Sequence, residues 1–120
     1  MIRVAIVGLG NISAAHIMAY KTFPERCKIV AMVDILPEKA RKRAEEFGVD
    51  CEIFDDHHKI LDRDDIDLVD VCTPPYVHAE ISINALRAGK HVLCEKPMAA
   101  SLEECDAVLA AAKESGKLFS

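Results

Sequence analysis

The chain has 120 residues and a mass of 13.2 kDa, enough for one domain with a core of its own. Apolar residues make up 51% and charged residues 29%, a balance that argues against disorder. Lys and Arg number 15 against 20 Asp and Glu, a formal charge of −5 that excludes a general nucleic-acid-backbone binder but allows a small phosphorylated ligand held by backbone amides.

No apolar run approaches the roughly 20 residues that cross a bilayer, so no membrane partner is expected. The opening Met1-Ile2-Arg3-Val4 lacks the basic-then-apolar order of a signal peptide and leads straight into a strand. The five cysteines are odd in number, and Cys51, Cys72 and Cys94 sit in strand-like stretches where a thiol behaves as a small hydrophobe. A reduced, cytoplasmic protein without a zinc site is the expectation.

Short β-branched runs alternate with helical patterns. Ile2 to Val7 predicts a strand ending at Gly8, then a helix from about Asn11 to Tyr20 with Ile12, Ala15 and Ala19 on one face. Lys28 to Val33 predicts a second strand, closed by Asp34. Pro37 opens the next helix at a first-turn position that needs no N–H. Ala40, Ala44 and Phe47 form its inner stripe, while Lys39, Arg41, Lys42, Arg43, Glu45 and Glu46 face water, and Gly48 ends it. A weak strand at 51–54 and a short helix near 56–61 follow. Asp67 to Cys72 predicts a strand, Tyr76 to Ala88 a helix stopped by Gly89, and His91 to Cys94 another strand. The last helix starts at Ser101, with Glu104 at capping-box spacing and Leu102, Cys105, Leu109 and Ala112 as its stripe. Gly116 caps it, and Lys117 to Ser120 begins to resemble a sixth strand.

Strands without strict alternation are buried on both faces, as in a parallel sheet covered by helices. The expected fold is therefore α/β: a doubly wound parallel sheet of Rossmann type, in three αβα layers, lacking its last strand or strands. Residues 1–120 are expected to form one domain of a larger protein, with no linker or repeat inside it.

Gly8-Leu9-Gly10-Asn11-Ile12-Ser13 lies between strand and helix, the context of a dinucleotide-binding turn. Gly8 permits the tight turn, Gly10 lets backbone approach a pyrophosphate, and the helix start offers free N–H groups. Ser13 replaces the third glycine with a residue still small enough for close packing. Asp34 follows about 20 residues on, where a carboxylate accepts hydrogen bonds from an adenosine ribose. That carboxylate repels a 2′-phosphate, and Ile35 supplies no cation to reverse this, so NAD is expected over NADP, unless Lys39 or Arg41 bends inward.

Thr73, Pro74 and Pro75, with His78 after them, end the fourth strand beside the glycine turn and offer a flat apolar wall. Glu95, Lys96 and Pro97 end the fifth strand. Pro97 disfavours helical geometry at Lys96, so the tripeptide is expected to be extended, with Glu95 and Lys96 pointing to opposite sides. A partly desolvated lysine beside an oxidised nicotinamide gives up its proton more easily, which suits acid–base work. His16 is expected to be a packed helix residue. His57 and His58 are adjacent and expected to share no face, the run Asp62, Asp64, Asp65 and Asp67 reads as a solvated loop, and no metal site is expected. Asp70, in mid-strand, is expected to lie where a helix leaves that face of the sheet open.

Gly8 to Ser13, Asp34, Thr73-Pro74-Pro75 with His78, and Glu95-Lys96-Pro97 together resemble the N-terminal half of the Gfo/Idh/MocA oxidoreductases, over essentially the whole chain. The resemblance implies Lys96 as the catalytic residue. It implies Gly8, Gly10, Asn11, Ile12, Asp34, Ile35, Thr73, Pro74, Pro75, His78, Glu95 and Lys96 around the cofactor. It also implies hydride transfer between NAD(P) and a sugar, cyclitol or related alcohol, and a C-terminal catalytic and substrate domain that this chain lacks. The chain alone is expected to be inactive, to bind NAD weakly and to self-associate as a homo-oligomer. The rival is a non-catalytic NAD(H)-sensing module that acts through a partner protein.

Overall fold

A computed structural model describes residues 1–120. Five parallel strands stand in the order β3-β2-β1-β4-β5: β1 Ile2–Val7, β2 Cys27–Val33, β3 Glu52–Phe54, β4 Leu68–Val71 and β5 His91–Cys94. Four helices connect them: α1 Ser13–Thr22, α2 Pro37–Phe47, α3 His78–Arg87 and α4 Leu102–Ser115. Single 3₁₀ turns at His57–Ile60 and Pro75–Val77 complete the set. No helix is long and apolar enough to cross a membrane.

Each strand sends alternate residues to two separate cores. Along β1, Val4 and Ile6 join Ile17, Ile29, Met32 and Ala40 beneath α1 and α2. Ala5 and Val7 join Val69, Val71, Ala85, Leu86, Val108 and Ala111 beneath α3 and α4. These are the three layers of a doubly wound sheet. Ile29 and Met32 share a face although three positions apart, because the register between β1 and β2 slips once, leaving Val30 as an extra residue.

Helix boundaries follow the expected chemistry. Pro37 occupies the first turn of α2, and Gly48 closes it in the left-handed region at φ +64°. Ser101 Oγ accepts from Glu104 N at 3.1 Å, while Glu104 Oε1 accepts from Ala100 N at 3.1 Å. Beyond α4, Val92 N donates to Leu118 O, and Ser120 N to Val92 O, so residues 118–120 lie parallel to β5.

Two helical stripes differ from expectation. Ile12, Ala15 and Ala19 of α1 face outward, and Ser13 and Ile17 are the buried residues, with His16 and Tyr20 beside them. The sheet beneath α1 carries Asp70, so this helix turns its polar face inward. In α4, Val108 and Ala111 are buried with Cys105 and Ala112 packed alongside, while Leu102 and Leu109 are exposed. Arg43 is half-buried, with Nη2 donating to Gly10 O at 3.3 Å.

The acidic run between the third and fourth strands is tied to cations at the N-terminal edge of the sheet. Arg63 bonds Glu52 and Asp65, and Lys90 donates to Arg63 O. Arg3 grips Asp67 through Nε and Nη2, both at 2.9 Å, and through its backbone N–H. These bonds hold the Asp67 carboxyl down at about 2. Its folded value lies below the unfolded one of about 3.9, so its contribution to stability is present above that value and lost as pH falls toward 2. Urea unfolding of wild type and Asp67→Asn is therefore expected to show a stability gap at pH 6 that closes by about pH 2.

Candidate functional site

A cleft of about 850 Å³ opens at the C-terminal edge of the sheet, where strand order reverses between β1 and β4. In open α/β sheets ligands bind at that point, because the loops leaving the two strands diverge. Gly8, Leu9, Gly10, Asp34, Ile35, Thr73 and Pro74 are among its walls. A smaller cavity of about 320 Å³ lies beside the start of β1 and β2 and holds none of the expected site residues.

Gly8 sits at φ +95°, and a Cβ there would stand 2.7 Å from Thr73 N and 2.8 Å from Cys72 C. The turn after β1 thus rests directly on the backbone that leaves β4. Gly10 has no neighbour within 4 Å of an added Cβ, so the turn presents bare backbone to the open side. The N–H groups of Gly10, Asn11 and Ile12 make no hydrogen bond within the protein. Ser13 is fully buried, and its hydroxyl donates to Gly10 O at 2.6 Å, so the residue in the third glycine's place also braces the turn.

Asp34 is pinned by backbone. Oδ2 accepts from Leu9 N and Oδ1 from Leu36 N, each at 2.9 Å. The first bond ties the end of β2 to the glycine turn, and both fix the carboxylate where it faces the cleft. Lys39, in the first turns of α2, lines the same cleft, whereas Arg41 pairs with Glu38 at the surface.

The fourth-strand residues take three different postures. Thr73 and Pro74 line the cleft, Pro75 is exposed beyond it, and His78 is 1% exposed. The His78 ring turns into the protein, with Nε2 at 2.6 Å from Thr73 O and Nδ1 at 2.7 Å from Pro97 O. It joins the loop after β4 to the loop after β5, and its influence on the cleft runs through those two carbonyls. Thr73 Oγ1 is buried without a partner.

Glu95 and Lys96 leave the same edge of the sheet as the glycine turn, two strands further along. Residues 96–98 bend instead of extending, drawn in where His78 holds Pro97 O, and the Lys96–Pro97 peptide is cis. Lys96 is exposed. Neither it nor Glu95, Pro75, His78, Asn11 or Ile12 forms a wall of the cleft itself.

Two constellations escaped sequence reasoning. The rings of His57 and His58 do come together, with centroids 4.1 Å apart, because Asp56 accepts from both the backbone and the ring of His58 and folds it back. Three ligand-type atoms of Asp56, His57 and His58 therefore lie close together at the far end of the cleft. The second is His16, Asp70 and Cys72. Here His16 Nδ1 and Asp70 Oδ2 are 2.6 Å apart and share a proton, whereas two ligands on one tetrahedral zinc stand about 3.4 Å apart. An unsatisfied acid in mid-strand was the available signal, but its partners are 50 and 54 residues away along the chain.

Fold, glycine turn and pinned carboxylate define a dinucleotide-binding domain of Rossmann type. Residues 2–120 match the family model described as "Oxidoreductase family, NAD-binding Rossmann fold", and the chain belongs to this Gfo/Idh/MocA family. Levoglucosan dehydrogenase of Pseudarthrobacter phenanthrenivorans is 37% identical over 122 aligned positions, covering 94% of this chain and 30% of that one. Inositol 2-dehydrogenase of Salmonella typhimurium is 28% identical over 116, covering 97% and 34%. The crystal structure of the WlbA dehydrogenase from Bordetella pertussis, in complex with NADH and UDP-GlcNAcA, superposes with a TM-score of 0.90 at 30% identity, covering 98% of this chain and 36% of that one. The chain thus spans about a third of the length of its relatives. All three are dehydrogenases, which does not favour the sensor reading.

The two glycines are expected to respond oppositely to the same methyl group. Gly8→Ala combines a positive φ with contact under 3 Å against backbone and should destabilise the fold by roughly 2–4 kcal/mol. Gly10→Ala meets nothing and should stay within about 0.5 kcal/mol of wild type. Equilibrium denaturation of both variants checks this.

Proposed function

We propose that this chain is the NAD(H)-binding part of an oxidoreductase that moves a hydride between the nicotinamide and the carbinol carbon of a sugar, cyclitol or related alcohol. The observation that carries this reading is the Asp34 carboxylate, held by Leu9 N and Leu36 N across from unpartnered backbone N–H groups. Its two oxygens have lone pairs left for ribose hydroxyls, and the free amides supply donors for a pyrophosphate. The bare backbone of Gly10 and the orphaned Thr73 Oγ1 fit the same group.

When bound, the dinucleotide supplies a nicotinamide C4 that accepts or returns hydride. The chain's own residues then divide the work. Gly8, Gly10, Asn11 and Ile12 hold the pyrophosphate, and Asp34 with Ile35 holds the adenosine ribose. Thr73 and Pro74 form a wall, which His78 fixes in place from behind, and Pro75 lies exposed beside it. Glu95 offers an acceptor on the rim, and Lys96 Nζ moves the proton of the substrate hydroxyl. Substrate contacts and a covering domain belong to the remainder of the whole protein, in line with the third of its relatives that this chain spans. Five free cysteines agree with a reduced, cytoplasmic setting.

Isothermal calorimetry with NAD and NADP tests the cofactor assignment. NAD is expected to bind more tightly than NADP, and Asp34→Ala should weaken NAD by about tenfold or more and erase that preference. Unchanged NAD affinity in Asp34→Ala overturns the assignment. The 120-residue chain alone is expected to oxidise no polyol, a point that NADH absorbance at high protein concentration decides.

Self-association is supported by Leu102 and Leu109 of α4 and by Leu118 beside β5, which are 85%, 54% and 75% exposed. A dimer or larger assembly is expected at high concentration, and a clean monomer in sedimentation at millimolar protein counts against it.

A further inference from the structure

Asp70 is fully buried in β4, on the face that α1 covers. A carboxylate removed from water needs a counter-charge or a full set of donors. No lysine or arginine hydrogen-bonds to it. Its Oδ2 lies 2.6 Å from His16 Nδ1 and accepts from the Tyr20 hydroxyl at 2.7 Å, and its Oδ1 accepts from the Cys72 thiol at 3.4 Å. Burial and the charge of Asp70 push both the Tyr20 phenol and the Cys72 thiol well above their ordinary ranges, so these two stay neutral donors. Only the His16 imidazole can bring positive charge.

The other nitrogen of that ring, Nε2, stands 3.4 Å from Glu95 Oε2. One imidazole therefore spans a buried carboxylate and a carboxylate on the cleft rim. The titratable groups facing it are Asp70 and Cys72 from β4, Tyr20 from its own helix and Glu95 beyond β5. Burial works against the charged ring, but hydrogen bonds and charges from Asp70 and Glu95 outweigh it, and His16 titrates above the ordinary histidine value.

We propose that His16 is a positioning residue: its imidazolium, anchored on Asp70, fixes the Glu95 carboxylate and so couples the helix that begins at the glycine turn to the loop that carries Lys96. This rests on, and deepens, the assignment of the rim as a dinucleotide site. The chemistry gives the coupling a direction. Neutral His16 keeps its Nδ1 proton for Asp70, which leaves a lone pair on Nε2 facing the Glu95 carboxylate. Attraction becomes repulsion, and Glu95 is released.

Nitrogen-15 NMR of the 120-residue chain reads both ring nitrogens of His16 directly. At pH 7 both are expected to carry protons, and the Glu95 and Lys96 amide signals should move as His16 titrates on raising the pH. Glu95→Gln should shift that titration to lower pH. NADH titrated into the same samples should bind about tenfold more weakly above the His16 transition than below it, and Glu95→Gln should flatten that dependence. His16→Gln alone strands Asp70 without its cation and can unfold the chain. The paired variant His16→Gln/Asp70→Asn, neutral at both positions, is therefore the second arm, expected to bind NADH about tenfold more weakly with no pH dependence in this range. A neutral His16 at pH 7, or a transition that Glu95→Gln leaves in place, overturns the proposal even where NADH binds normally. An intact His16–Glu95 coupling in a chain that fails to bind NADH supports the coupling and overturns the dinucleotide assignment instead.

Discussion

The turn after β1 touches the end of β4 because Gly8 has no side chain. The space a Cβ would need is filled by Thr73 N and Cys72 C. β1 and β4 are the strands between which the sheet reverses direction, so this contact sets the floor of the cleft. The second tie, Asp34 to Leu9 N, brings the end of β2 to the same turn. Three strand ends that diverge in sequence are thereby held to one short stretch of backbone, and its unpaired amides are aimed by what lies beneath them.

Carboxylates are managed at three depths in this domain, each by different means. At the N-terminal edge, Asp67 meets an arginine in partly exposed surroundings, where water still shares the work. At the cleft, Asp34 is met by backbone N–H groups alone, which leaves it no cation and suits a polar, uncharged partner. In the core, Asp70 is met by neutral donors and one imidazole. The deeper the acid, the more its setting specifies orientation, because a buried acceptor tolerates no unpaired direction.

Much of the architecture was legible in the sequence. Strand runs, Pro37, Gly48 and the Ser101–Glu104 pair are local signals, and local chemistry decides them. Gly8 and Asp34 were legible as a pair because their spacing reflects one β-α-β unit. The inward face of α1 was not. Periodicity counts apolar residues, and this helix buries Ser13 and sets His16 and Tyr20 toward a charged residue on a strand far along the chain. The inner stripe of α4 was displaced by about one position: Leu102 and Leu109 are the larger hydrophobes, but Val108 and Ala111 are the residues buried where α4 packs on α3. His78 was legible only as a residue near the cofactor. Its inward turn depends on two carbonyls, one of them 19 residues away, that no local pattern reveals.

The His78 ring has a mechanical consequence. Thr73 O and Pro97 O are 24 positions apart in sequence yet share one rigid aromatic strut. The two loops are therefore braced against shearing past one another. Between the proline-rich segment and the segment bearing the lysine stands only the width of one imidazole ring and its two contacts. Two stretches of backbone that leave different strands are thus tied to a single side chain.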